Sequence, residues 1–164
     1  MSRSDGALPG RVGPGTYGDV TRGRPAVATA LRSYQRAHDA FDEAVAERLG
    51  INRTDFRCLD ILEQYQPMPA GALARAAGLS SGAATFAVDR LVASGFVRRR
   101  HDEADRRRIL VEIVPEAHRT VAALHAGLVR DARRLLAAYS EEEIQVVCRF
   151  LEDGRQILER NLPT

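Results

Sequence analysis

The chain has 164 residues and a formal net charge of +2, with 45% hydrophobic, 28% charged and 5% aromatic residues and no Trp. That is enough apolar material for one ordinary domain with helical extensions, its core resting on Leu, Val, Ile and Ala, and it excludes a wholly disordered chain. No run approaches the ~18 consecutive apolar residues of a membrane span, and the first residues lack the apolar stretch of a secretory signal, so the expectation is a soluble, cytoplasmic protein.

Residues 1–25 hold 6 of the 13 Gly and 3 of the 7 Pro and show no apolar periodicity. They are expected to form a flexible, mildly basic tail, because burial cannot offset their ordering entropy. Pro25 suits the first turn of a helix. From there Val27, Leu31, Tyr34, His38, Phe41, Val45 and Leu49 recur at three and four, which predicts one long helix ending at Gly50 with that stripe facing inward. A second helix is expected to start at a Thr54 N-cap, to bury Phe56, Leu59, Leu62 and Tyr65, and to close at Pro67 and Pro69. Residues 26–66 are therefore read as a pair of helices.

Residues 67–115 are more compact. PAGALARAAG predicts a short helix with Leu73 and Ala74 inward, stopped by Gly78. Ser80 is placed to cap the next helix, which has Ala84, Ala87, Val88 and Leu91 inward and ends at Gly95. Two β-rich runs follow, Phe96–His101 and Ile109–Val114, joined by a charged loop. Helix, tight turn, helix, hairpin is the order of a winged helix-turn-helix. After Pro115 a long helical pattern runs through Val121, Leu124, Leu128, Leu135 and Leu136. Ser140 and Glu143 then form a capping box for a last helix with Ile144, Val147, Leu151 and Leu158 inward, so 116–164 reads as two C-terminal helices. The fold class expected is mainly α: a winged helix-turn-helix with a two-stranded wing between long flanking helices.

All 24 cationic residues are Arg, and they are unevenly spread: residues 26–66 carry 5 Arg and 7 acids, 75–108 carry 8 and 4, and 116–164 carry 7 and 8. Positive charge therefore concentrates in the winged segment. A helix-turn-helix lays its second helix in the major groove of DNA. With the inner positions assigned, Ser81, Thr85, Phe86, Asp89 and Arg90 face outward. Ser80, Ser81 and Thr85 can donate to phosphates or bases at the helix N-terminus, and Arg90 can pair with a phosphate. Phe86 either touches a thymine methyl or leans onto its own domain, and the second reading is preferred. In the hairpin, Arg98, Arg99, Arg100, Arg106, Arg107 and Arg108 place 6 of 24 Arg within 11 residues. Folding the two triplets together produces repulsion that double-stranded DNA would relieve, and Arg at a hairpin tip suits a narrow minor groove. The competing account is a solvated hairpin whose internal partners are Asp102, Glu103 and Asp105.

The segment LARAAGLSSGAATFAVDRLVASGFVRRRHDEADRRRILVEIVPEAHR resembles the DNA-binding core of the MarR family of regulators, most specifically in DRL followed by GFVRR and in the D-R-R at Asp105–Arg107. The resemblance extends over residues 26–162. It implies an obligate homodimer formed by the flanking helices, recognition helices in successive major grooves, wing arginines in the minor groove, and Asp105 orienting the wing while Arg107, with Arg106, contacts DNA. Phe86 stands where such proteins often carry a basic residue, and Val114-Pro115-Glu116-Ala117 replaces a common threonine-glycine. The resemblance also places Tyr34, His38, Phe41 and Phe56 near a pocket for a small aromatic or anionic effector, although a satisfied core histidine is the preferred account of His38. Cys58 and Cys148 are too few for a disulfide framework, and neither has a strongly cationic local setting for redox sensing. No metal-ligand spacing, phosphate loop or catalytic constellation stands out, so neither an enzyme nor a cofactor is expected. The function expected is a homodimeric DNA-binding repressor of a pseudo-palindromic site, released by an effector. The rival is a dimeric winged-helix protein–protein module without DNA binding, which Phe86 favours.

Overall fold

The computed structural model describes residues 24–163. The tail expected over 1–25 lies outside the described residues, except that the first helix already includes Arg24 and Pro25. In chain order the elements are α1 (Arg24–Leu49), α2 (Arg53–Tyr65), β1 (Met68–Pro69), α3 (Ala70–Ala77), α4 (Ser81–Ala93), β2 (Val97–His101), β3 (Ile109–Ile113), α5 (Pro115–Leu136) and α6 (Glu141–Arg160). The chain divides into two compact units, Met1–Arg57 and Cys58–Thr164.

In the first unit, α1 forms as its periodicity predicts and ends at Gly50, whose φ of 69° is the left-handed conformation that glycine adopts without strain. The inward stripe is only partly realised within the protomer. Val45 and Ala46 are buried and Phe41 is half-buried, but Val27, Tyr34 and His38 are exposed. The N-cap of α2 is Asn52 rather than Thr54: Asn52 Oδ1 accepts from the Asp55 amide at 2.9 Å, and its Nδ2 donates to Asp55 Oδ2 at 2.9 Å. This reciprocal pair satisfies a first-turn donor and supplies a partner to the carboxylate of Asp55, which is only 2% exposed.

In the second unit, Leu59 and Leu62 of α2, Leu73 of α3, Val88 and Leu91 of α4 and Val111 of β3 are fully buried, whereas Tyr65, expected inward, is exposed in the last turn of α2. Gly78, at φ 65°, closes α3 and gives its N–H to the carbonyls of Ala74 and Arg75. Ser80 caps α4, its Oγ accepting from the Ala83 amide at 3.2 Å. The sheet is antiparallel in the order β1-β3-β2, so the wing carries a third strand that the expected two-stranded hairpin lacks. β1 is two residues long and pairs Met68 with Val111 and Pro69 with Leu110. Its prolines end α2 as expected, and an edge position is where a residue without an N–H is tolerated.

Pro115 opens α5, and Ser140 with Glu143 caps α6 reciprocally: the Glu143 amide donates to Ser140 Oγ at 3.2 Å and the Ser140 amide to Glu143 Oε2 at 2.8 Å. Only Ala117 and Val121 of α5, and no residue of α6, are buried. Of the positions expected to face inward on these helices, Val121 is buried and Leu124 and Ile144 are half-buried, but Leu128, Leu135, Leu136, Val147, Leu151 and Leu158 are exposed in the protomer. No helix among the described residues is long and apolar enough to cross a membrane.

Candidate nucleic-acid interface

The second helix of the helix-turn-helix presents the face expected of it. Ala84, Ala87, Val88 and Leu91 are buried, while Ser80, Ser81, Thr85, Phe86, Asp89 and Arg90 are exposed. Two of the hydroxyls are already engaged. Ser80 accepts as the cap, which leaves its own hydrogen to give, and Thr85 Oγ1 donates to the Ser81 carbonyl at 2.9 Å, which leaves it an acceptor for an incoming group. Phe86 is 67% exposed and does not lean onto its own domain, contrary to the preferred expectation. Its place in the sequence puts it on the outer arc of α4, and Ala83 and Ala87 beside it are too small to cover a ring.

The hairpin register explains the arginines of β2. Val97 pairs with Ile113, Arg98 with Glu112 and Arg100 with Leu110. Strand side chains alternate between faces, so Arg98 and Arg100 share one face and both reach Glu112, whereas Arg99 points to the other. Arg98 Nε donates to Glu112 Oε1 and Arg100 Nε to Oε2, each at 2.7 Å. Arg99 pairs with Asp89 on the outer face of α4 at 2.7 Å, so the root of the wing is fastened beside the helix that would enter the groove. Arg108 lies 3.7 Å from Asp102. Four of the six hairpin arginines thus have carboxylate partners. Asp102 was expected among these, whereas Glu112 and Asp89 replace the expected Glu103 and Asp105. Exposed pairs of this kind contribute about 0–1 kcal/mol each, so the hairpin is held by buried Val97, Val111 and Ile113 and only trimmed by its ion pairs.

At the tip, Asp105 organises the turn. Its Oδ1 accepts from the Arg107 amide at 3.0 Å and its carbonyl from the Arg108 amide at 2.9 Å. Across the loop Asp102 N–H donates to the Arg108 carbonyl at 3.0 Å, and His101 Nδ1 donates to the Arg106 carbonyl at 2.9 Å. The guanidinium groups of Arg106 and Arg107 are exposed and have no carboxylate partner among the described residues. These two cations are left for an external anion.

Glu112 is the acidic hinge of this arrangement. The hydrogen bond from Arg100, with a second from Arg98, holds its carboxyl below the ordinary glutamate range against the opposing effect of partial burial. A depressed folded value means that the stabilisation is fully present above the ordinary range, about pH 4.3, and is lost as pH falls through the folded value. Glu112→Gln is therefore expected to lower the melting temperature at pH 7. The gap between variant and wild-type melts should narrow as the pH falls below the ordinary glutamate range; a gap that stays constant would contradict this coupling.

Of the four candidate effector residues, two lie at the surface of α1. Tyr34 is 65% exposed, with its ring centroid 6.1 Å from that of His38. His38 is exposed too, its Nδ1 lying 3.3 Å from Asp42 Oδ2, so it is not a core histidine. Phe41 is half-buried and Phe56 is buried. Cys58 is fully buried and Cys148 exposed. Groups of three or more potential metal ligands are absent among the described residues.

A capped recognition helix beside an arginine-tipped wing defines a winged-helix DNA-binding protein. Comparison with known proteins agrees. The MarR family model matches residues 51–109. The uncharacterized HTH-type transcriptional regulator YcgE of Bacillus subtilis (strain 168) is 35% identical over 122 residues, 74% of this chain and 79% of that protein. A second regulator from the same organism, YfiV, is 30% identical over 115 residues, 70% of this chain and 69% of that one. The fold matches a MarR-family transcriptional regulator from Silicibacter pomeroyi (TM-score 0.61, 21% identity, 85% of this chain and 92% of that one). It also matches a MarR family protein from Bacillus stearothermophilus (TM-score 0.62, 22% identity, 81% and 93%). The chain belongs to the MarR family and is a transcriptional regulator with a DNA-binding helix-turn-helix, not an enzyme.

Proposed function

We propose that the protein is a homodimeric cytoplasmic repressor that binds a pseudo-palindromic DNA duplex and is released by a small effector. The observation that carries the DNA-contact assignment is the pair of unpartnered guanidinium groups, Arg106 and Arg107, on a hairpin tied to the outer face of α4 through Arg99 and Asp89. In this reading Ser80, Ser81, Thr85, Phe86 and Arg90 meet the major groove and its flanking phosphates. Asp105 sets the wing, and Arg106 and Arg107 enter the minor groove, where the potential is most negative. Arg98 and Arg108 can exchange their weakly bound carboxylates for phosphates. The dimer follows from α6, a 20-residue helix that buries nothing in the protomer while presenting Ile144, Val147, Leu151 and Leu158 on one side. A helix of that length is marginal in water unless its apolar face is covered. A second copy covers it and also supplies the second recognition helix that a palindrome requires. Residues 67–115 then serve as the DNA-binding lobe, with helices from 26–66 and 116–164 in dimerisation. An aromatic or anionic effector finds its best candidate in the exposed Tyr34–His38 ring pair, with Phe41 farther along α1; buried Phe56 serves the core.

The test is selection of duplexes from a random-sequence pool with the full chain. The expected product is an inverted repeat whose half-sites are centred about one helical turn, ~34–36 Å, apart. A promoter carrying it should fall silent when the protein is supplied. Recovery of no preferred sequence would contradict the proposal and favour a protein-binding module.

A further inference from the structure

Resting on the duplex-binding reading above, we infer that α4 reads thymine through its C5-methyl group, with Phe86 as the specificity-determining residue. The argument starts from what the recognition helix lacks. Guanine is read in the major groove by Arg or Lys, and adenine by Asn or Gln, through paired hydrogen bonds. The first two turns of α4, Ser81–Val88, contain none of these four residue types. The hydroxyls offered instead are partly committed, since Ser80 Oγ accepts from Ala83 and Thr85 Oγ1 donates to the Ser81 carbonyl. Asp89, which could accept from cytosine N4, is held by Arg99 at 2.7 Å. Hydrogen-bonded base reading from this half of the helix is therefore sparse.

Its largest outward group is apolar. The Phe86 ring is 67% exposed, one position after Thr85, whose own methyl adds a second apolar surface. Ser81, Gly82 and Ala83 precede it, and side chains this small let the helix backbone approach the groove floor. Of the four bases only thymine presents an apolar group in the major groove, and apolar side chains recognise it by contact. The chemistry of the outer face thus selects a base by burial of a methyl, and Arg90, one turn farther along, supplies charge rather than base identity. A protein partner for the same ring is the competing occupant, and the experiment separates the two.

Full-chain protein is titrated with a duplex recovered from a random-sequence pool, in which each thymine in turn is replaced by deoxyuridine, a change that removes only the methyl. Wild type is expected to lose about fourfold in affinity at one thymine per half-site, the size of one buried methyl group. Phe86→Ala is expected to bind the parent duplex more weakly and to treat thymine and deoxyuridine alike, whereas Phe86→Leu retains part of the discrimination. Because the ring is exposed, unchanged circular dichroism of the variants is expected and secures their fold. Indifference of the wild type to deoxyuridine at every position, or undiminished discrimination by Phe86→Ala, would overturn the inference while leaving duplex binding intact. Recovery of no duplex would overturn the reading beneath it as well.

Discussion

Leu151→Glu is expected to turn the proposed dimer into a monomer and to abolish tight DNA binding with it. Leu151 sits mid-way along α6 and is 51% exposed in the protomer, flanked on the same side by Val147 at 52% and Leu158 at 64%. The adjoining stripe carries Glu152, Arg155 and Glu159, linked by hydrogen bonds from Arg155 to both acids. That ladder holds the Glu152 carboxyl down at about 2, chiefly through the Arg155 hydrogen bond, so this stripe is charged and solvated across the working pH range. The helix thus carries a charged, wet stripe alongside an apolar side that water does not favour. A carboxylate at 151 would be carried into the apolar seam of the proposed dimer, twice over by symmetry, with Arg155 one turn on already committed to Glu152 and Glu159, and each poorly compensated buried charge costs about 3–5 kcal/mol. At 1.4 kcal/mol per tenfold, the dissociation constant should rise by at least roughly a thousandfold. Sedimentation at micromolar concentration would show it. Glu152→Ala, in the wet stripe, should leave the dimer unchanged. A Leu151→Glu protein that stays dimeric would remove α6 from the interface.

The helix-turn-helix was legible because local signals and the apolar pattern agree there. Ser80 is a capping residue, Gly78 and Gly95 permit left-handed stops, and the three-and-four spacing of Ala84, Ala87, Val88 and Leu91 leaves one inward face, all of it buried. At α2 the signals competed. Asn52 and Thr54 are both capping types, and the deciding feature is Asp55, three residues after Asn52, whose carboxylate the Asn amide can reach in return. β1 was hidden because two residues around a proline carry no strand period. Along α1 and α6 the periodicity marks an apolar stripe but cannot say what covers it, and the protomer leaves Tyr34, His38, Val147 and Leu158 exposed.

The wing shows the same limit at the level of charge. Its six arginines could be counted in the sequence, but which of them are neutralised depends on pairing register. Once Val97 is set opposite Ile113, Arg98 falls opposite Glu112 and Arg100 comes within reach on the same face. Asp89 meets Arg99 only through packing of the strand beside α4, which no spacing rule announces. What remains after those pairings is narrower than a six-arginine patch, and it falls on the D-R-R segment that the sequence singled out.

Changing both Arg106 and Arg107 to Ala is expected to weaken duplex binding by about two orders of magnitude at physiological salt. Neither side chain has a carboxylate partner to lose, and Asp105 still accepts from the backbone amide at 107, so the fold should be undisturbed. The loss follows from electrostatics alone. Each phosphate charge neutralised by a cation releases condensed counterions and adds about 0.9 to the slope of log affinity against log salt. With two wings per dimer, up to four such contributions disappear together. The most direct measurement is therefore a titration of the selected duplex at several salt concentrations, wild type beside the double variant. A slope shallower by about 2 to 4, with affinities converging at high salt, is the predicted result. Equal affinities and equal slopes would show that the wing does not touch the duplex.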